Sequence, residues 1–281
     1  MNGKPGFKQF RLKHPTESWI FCLIIGCTNI WMKYQAISCR LWGKSGFYQV
    51  SAGFGFRDQL QDCLALLISD PDFVRRHLLL CAAHQFKEGD VQHWWHPPYA
   101  GVRTTVSDDL LFLPFVAARY FEVTGDKELF DQIVPYLEGH SLNGRHDLYE
   151  NAWPSKESSS FYEHCMRTLR LVIKRSGRHN LPLMLGGDWN DGMNGIGKEG
   201  KGESVWLGWF LYSVISRFLP ICRLYNAEDE QMLKEHAKKL VDALNTVCWD
   251  GQWYRRAFDD EGKIIGASDA SCCRIDAISQ A

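Results

Sequence analysis

Apolar positions recur at helical spacing along most of the chain. Phe56, Leu60, Cys63, Leu64, Leu67 and Ile68 share one face, which predicts a helix opening at Arg57-Asp58 with polar residues at its mouth. Ser69-Asp70-Pro71 reads as a stop followed by a start, and Phe73, Val74, His77, Leu78 and Cys81 place a second helix over about 71–85. A third is expected from Leu110 to Val123, capped by Ser107-Asp108-Asp109 and kinked at Pro114, and a fourth over 127–138. Residues 139 to about 158, rich in Asn, Pro and Ser, read as a loop. Phe161, Cys165, Leu169, Val172 and Ile173 are in phase for a helix over about 159–175. Glu203 to Leu219 is apolar nearly all round, as expected of a helix buried among others, whereas Ala227 to Val247 carries Glu and Lys on one face. Gln252–Phe258, a turn over Asp259–Gly262 and Lys263–Ile265 predict a small hairpin.

Buried helices alternating with amphipathic ones predict an all-α fold, an (α/α)6 toroid whose inner helices are ringed by outer ones and whose rim loops build a cleft. No stretch repeats at a fixed period, which disfavours a regular solenoid. About seven or eight helices are too few for a complete six-hairpin ring, and Ile275–Ala281 reads as the start of another helix. The expectation is therefore a fragment: a disordered lead-in over 1–16 and a partial barrel domain over 17–281, incomplete at its C-terminus. The apolar run Trp19–Met32 is broken by Gly26, Thr28 and Asn29 and is too short for a membrane span, so it reads as a buried helix.

Composition narrows the function classes. With 32 basic and 33 acidic residues the formal charge is −1, so there is no electrostatic footprint for nucleic acid or an anionic membrane. Eleven Trp and ten Tyr serve either a core or a carbohydrate cleft. The ten cysteines form no CxxC pair and read as reduced, buried thiols of a cytoplasmic protein.

Candidate chemistry concentrates in Leu185-Gly-Gly-Asp188-Trp189-Asn190-Asp191-Gly-Met-Asn194, a loop by its glycines and polar residues. Asp and Asn pair with sugar hydroxyls, Trp covers the C–H side of a pyranose, and a carboxyl desolvated by an indole suits a general acid. The same residues also suit a turn whose Asp and Asn bond their own backbone, and composition leaves both readings open. Asp188 either orients Asp191 or closes the turn. Asp108 and Asp109 read first as helix-start residues. Trp94 and Trp95 read as one core and one cleft residue. Glu203 is either an alternative base or a helix start. Glu88, His93 and His96 invite a metal reading, but His-x-x-His beside Pro97-Pro98 is no helical ligand pair and no third ligand has fixed spacing, so no metal is expected.

Several stretches in order, from about residue 30 to the end, resemble glycoside hydrolase family 94. They are Phe47-Tyr-Gln49, Gly55-Phe-Arg-Asp-Gln-Leu-Gln-Asp62, His84-Gln-Phe86, Glu88-Gly-Asp-Val-Gln-His-Trp-Trp-His-Pro97, Ser107-Asp-Asp-Leu110, Gly187-Asp-Trp-Asn-Asp-Gly-Met-Asn194 and Gly200-Lys-Gly-Glu-Ser-Val-Trp206. That family holds cellobiose and chitobiose phosphorylases and the phosphorylase-like region of cyclic β-1,2-glucan synthases, and the wording is closest to the β-1,2-glucan branch. The resemblance implies an (α/α)6 barrel and inverting phosphorolysis of a β-glucan or β-glucoside, with inorganic phosphate as co-substrate and no cofactor. By motif position it makes Asp191 the acid, assigns Asp58 and Trp189, with Arg57, Asp188 and Trp94, to the sugar, and gives Arg40 to phosphate. Arg40 equally suits a structural ion pair. One poised Asp suffices, because phosphate is already an anionic nucleophile and needs no base.

Two departures limit the carry-over. The chain ends before the downstream His and Thr-Gly that complete the family's phosphate site, and Ala52 stands where cellobiose phosphorylases have a substrate-binding Arg. Two alternatives accompany the phosphorylase reading: an inverting hydrolase with Glu203 or Asp58 as base, and a non-catalytic glucan-binding fragment of a cyclic glucan synthase. Expected partners are the glucan, phosphate and, as an open alternative, a second copy in a homodimer. The expected location is the cytoplasm, or the cytoplasmic side of the inner membrane if the chain is part of a glucan synthase.

Overall fold

The computed structural model describes residues 30–41, 53–271 and 273–280. The lead-in over 1–16, most of the apolar run from Trp19, Phe47-Tyr48-Gln49, Ala52 and Cys22, Cys27 and Cys272 lie outside the described residues. Among the described residues, a wide-turned helical stretch, Gln35–Leu41, is followed by seven α-helices: α1 (Phe56–Cys63), α2 (Pro71–Ala82), α3 (Asp109–Thr124), α4 (Glu128–Asp131), α5 (Phe161–Lys174), α6 (Val205–Tyr225) and α7 (Ala227–Asn245). Side chains start four of them as helix chemistry requires. Asp70, Ser160, Ser204 and Asn226 accept the N–H groups of Phe73, Glu163, Leu207 and of Glu228 with Asp229.

The long helices form three hairpins in two layers. α1, α3 and α6 touch in an inner row, with α2, α5 and α7 behind them. Asp229 of α7 ties the outer row together, accepting Tyr162 Oη at 2.9 Å and Arg170 Nη2 at 2.9 and 3.0 Å from α5. Phe56, Leu60, Leu113, Val116, Phe161, Leu169, Leu211, Phe218 and Leu240 are all fully buried between the layers. At about 1.5–3 kcal/mol for each large side chain, that burial is the main force holding the layers together.

Nine short strands among the described residues make the all-α expectation too narrow: helix accounts for 48% and strand for 20%. An antiparallel sheet runs in the order β1 (Phe54–Gly55), β2 (Gln92–His96), β3 (Ala100–Thr104), β5 (Asp147–Asn151). β4 (Ile133–Glu138) pairs with β6 (Trp153–Ser160), and β7 (Glu203–Ser204) with β8 (Ala257–Phe258), which pairs with β9 (Ile264–Ile265). The helix expected over 127–138 lasts only through α4, because Ile133-Val134 favour extended backbone and Pro135 lacks a helical donor. Its partner β6 is nearly all polar and carries no alternation, so pairing with β4, rather than its own pattern, makes it a strand. The hairpin near 252–265 is present as β8–β9.

α6 is long and apolar enough to cross a membrane, at 21 residues and mean hydropathy 1.4, yet it lies against α3 and α7 in the core. It is not covered all round. Val214, Ile215 and Phe218 are buried, but Trp206, Trp209, Phe210 and Tyr212, with Glu122, line an open cavity of about 750 Å³.

Candidate active site

The loop after α5 is held from beneath before it presents anything. Ser107 Oγ donates to the carbonyls of Met184 at 3.0 Å and Gly187 at 2.9 Å, and Ser107 N donates to Gly187 O at 2.9 Å. Thus Ser107 and Asp108 do not cap α3, whose N-cap makes no side-chain bond; both serve this loop. Gly187 has φ +136°, and a Cβ there would sit 3.2 Å from the Cα of Asp191, so the turn requires glycine.

Asp188 is fully buried and does not face the cleft. Its oxygens accept Arg256 Nη1 and Nη2, both at 2.7 Å, Ser204 Oγ at 2.6 Å and Asn190 N at 3.1 Å. It therefore orients the loop from below, and the substrate contact expected of it is replaced by a buried ion pair. Asn190 in turn accepts Gly192 N at 3.0 Å, starting the short turn that carries Asp191.

Asp191 stands half exposed at the cleft, its two oxygens accepting Arg57 Nη1 and Nη2 at 3.1 and 3.0 Å. Arg57 Nη1 also reaches both oxygens of Asp108, at 3.1 and 3.2 Å, and the carbonyl of Asp188 at 3.4 Å. Burial works to lower the Arg57 pKa, but Asp108, Asp191 and Asp109 together raise it, so the guanidinium stays charged. Arg57 is buried and bridges carboxylates; it is placed to position Asp191 more than to hold sugar.

His93 adds a second cation that sequence reasoning weighed only as a metal ligand. Its Nδ1 lies 2.7 Å from Asp109 Oδ2 and its Nε2 4.0 Å from Asp191 Oδ2. Asp109 raises its pKa to about 9 against the opposing effect of burial. Glu88 pairs with Arg103 at 3.1 Å and the His96 ring meets Trp94 edge-on, and no cluster of three metal-binding side chains occurs among the described residues.

The aromatic residues divide as their burial dictates. Trp95 is buried against His84, their ring centroids 3.9 Å apart, while Trp94 lines a cavity of about 420 Å³ together with His93, Tyr149 and Asp191. Trp189 is 44% exposed, with its Nε1 3.5 Å from Gln61 Oε1. Asp58 lies in the first turn of α1 and is 45% exposed; a Cβ on Gly55 would collide with its carboxylate. Arg40 is tied to Asp62 at 2.6 Å and lies 3.9 Å from Asp58, the ion-pair alternative, so phosphate would have to compete with these carboxylates. Glu203 is fully buried, accepting His179 N at 2.9 Å and facing His179 Nδ1 at 2.5 Å. Its partner on the same strand, Ser204, is the residue that reaches Asp188.

Sequence reasoning assigned no site role to Arg256 or Ser204, and it weighed His93 and Asp109 without pairing them. For Arg256 the sequence held one usable signal, an Arg-Arg pair inside a short strand-like stretch, where alternation sends one of the two inward.

The family described as "Glycosyl hydrolase 94 superfamily, catalytic domain" matches residues 7–281. The chain is 48% identical over 255 residues to the cyclic beta-(1,2)-glucan synthase NdvB of Rhizobium meliloti, covering 90% of this chain and 9% of that protein. It is 30% identical over 242 residues to the solabiose phosphorylase of Paenibacillus borealis, covering 85% of this chain and 28% of that one. The chain thus spans less than a third of either relative. Among solved structures, the fold is similar to a rhamnosidase from Klebsiella oxytoca with rhamnose bound, at TM-score 0.52 and 14% identity, over 77% of this chain and 37% of that one.

Proposed function

Because the chain belongs to the glycosyl hydrolase 94 superfamily, we propose that it carries the acid-bearing part of an inverting glycoside phosphorylase acting on β-glucosides, with β-1,2-glucan as the preferred class. Phosphate attacks the anomeric carbon, the glycosidic bond breaks, and Asp191 gives its proton to the leaving oxygen, yielding α-glucose 1-phosphate. Trp189, Trp94 and Asp58 hold the sugar, and Arg40 takes part in holding phosphate. The support is a half-exposed Asp191 held by Arg57 and neighboured by His93, on a cavity that Trp94 also lines, joined to relatives named as a phosphorylase and a β-1,2-glucan synthase.

The Arg57 contact carries a consequence for the chemistry. The Arg57 guanidinium occupies both oxygens of Asp191, so a leaving oxygen reaches this carboxyl only when that contact opens. Arrival of a phosphate dianion beside Arg57 is a means of opening it, and would couple acid delivery to the presence of the nucleophile. With Glu203 occupied by His179, the hydrolase alternative retains only Asp58 as a base. A cytoplasmic location belongs to the same proposal, in keeping with five buried free thiols among the described residues.

The test is phosphate dependence. Incubated with β-1,2-glucan, the protein should release glucose 1-phosphate only when phosphate is present. Release of free glucose at a rate independent of phosphate would establish a hydrolase instead.

A further inference from the structure

Strand β2 breaks its alternation beside Asp191. Gln92 lies opposite Arg103 and Trp94 opposite Val102, so two steps along β2 meet one along β3, and His93 is the extra residue of a β-bulge. The consequence shows on both faces of the sheet. Gln92 and Trp95, three positions apart, both reach His84 on the buried side, through a 2.7 Å contact and a ring stack. His93 and Trp94, which regular alternation would send to opposite faces, both line the cavity that holds Asp191. The bulge is therefore what aims His93 at Asp191.

The imidazole is fixed from behind. Its Nδ1 donates to Oδ2 of the buried Asp109 at 2.7 Å, and Asp109 Oδ1 has no other partner among the described residues. That bond leaves Nε2 directed at Asp191 Oδ2, 4.0 Å away. The charged groups facing His93 are Asp109 from α3, Asp191 from the loop and Arg57 from α1. Asp109 raises its pKa to about 9 against burial and Arg57, so the ring is a cation at neutral pH. When Asp191 gives up its proton, a carboxylate forms where a neutral carboxyl stood. Arg57 must let go before a leaving oxygen reaches that carboxyl, and His93 is then the cation still beside it among the described residues. A fixed positive charge favours the developing negative charge and acts little on the neutral acid, so its effect falls on the transition state.

We propose that His93 is a positioning residue for the acid: aimed by the bulge and held by Asp109, it stabilises the carboxylate that Asp191 becomes as the glycosidic oxygen takes its proton. The Asp109–His93 pair thereby sets the upper pH limit of turnover. This rests on the reading of Asp191 as the acid of a glucan-cleaving site.

Turnover of β-1,2-glucan with phosphate, followed across pH well below the melting temperature, tests it. His93→Gln should lower kcat at neutral pH by about tenfold with KM nearly unchanged, less than the roughly 10²–10³ that loss of a donor in direct contact costs. Asp109→Asn keeps the imidazole but removes its counter-charge. The alkaline fall in kcat should then move from about 9 towards the ordinary histidine value of about 6.5, with kcat below that limb close to the parent's. The histidine NMR signal absent from His93→Gln should titrate with the same two midpoints in the parent and in Asp109→Asn. An undiminished kcat in His93→Gln, or an alkaline limb that Asp109→Asn leaves in place, overturns the proposal and leaves the acid assignment standing. A parent protein without turnover of the glucan, or an Asp191→Asn variant as active as the parent, overturns both.

Discussion

Arg256 and Asp188 face each other through two parallel 2.7 Å bonds, both side chains fully buried, beneath the loop that carries Asp191. The pair joins the residue just before β8 to the middle of the loop, and Ser204 at the start of α6 closes it at 2.6 Å. Asp276 adds a further carboxylate, 3.4 Å from Arg256 Nε. The loop is thus referenced to three separate parts of the fold.

Breaking this pair from either side leaves a buried charge without its counterpart, a cost of about 3–5 kcal/mol. Arg256→Met and Asp188→Asn should each lower stability on that scale in urea unfolding. The double variant should cost less than the sum, because the second change removes the charge stranded by the first. Additive losses would show that the two residues do not act as a unit.

Asp191→Asn retains the side chain's shape and removes its transferable proton. In phosphorolysis of β-1,2-glucan, kcat should fall by about 10²–10⁴ with KM nearly unchanged. Glucosyl fluoride, whose leaving group needs no protonation, should recover much of the rate. An unmodified rate on the glucan would remove Asp191 from the acid role.

Histidines give stability a defined pH window. His93 is raised to about 9 in the folded state by Asp109, so its contribution is fully present below the unfolded value, about 6.5, and is lost as pH rises through 9. His77, His84, His164 and His236 are lowered to about 4 by burial, so the unfolded chain binds more protons than the folded one between about 4 and 6.5. Melting temperature should therefore peak near neutrality and fall on both sides. His93→Gln should flatten the alkaline limb and leave the acid limb in place, and an unchanged alkaline limb would refute the His93 assignment.

Glu203→Gln distinguishes a structural from a catalytic carboxylate. Its buried contact with His179 predicts a stability loss, by thermal melting, with little change in kcat of the folded protein measured well below the melting temperature. A fall in kcat comparable to that of Asp191→Asn would return Glu203 to the role of base.

The helical framework was legible in the chain because local period and local capping both act within a few residues. The phase of Phe161, Cys165 and Leu169, and the Ser160 and Ser204 caps, need no distant partner. The Asp191 loop was legible for a related reason: its glycines, indole and carboxylates sit together, and their resemblance to a family is itself a short-range pattern. What the chain could not report is pairing. β6 is a polar run that becomes a strand only against β4, and Trp94 meets Tyr149 only through the register of β2, β3 and β5. Asp188 reads locally as a turn residue, yet an arginine 68 positions away decides that it is buried and ionically held. The sequence by itself determined where most of the helices lie and where the candidate acid stands in the chain. Tertiary structure alone decided which charges meet, because a buried charge is tolerated only where a partner distant in the chain neutralises it.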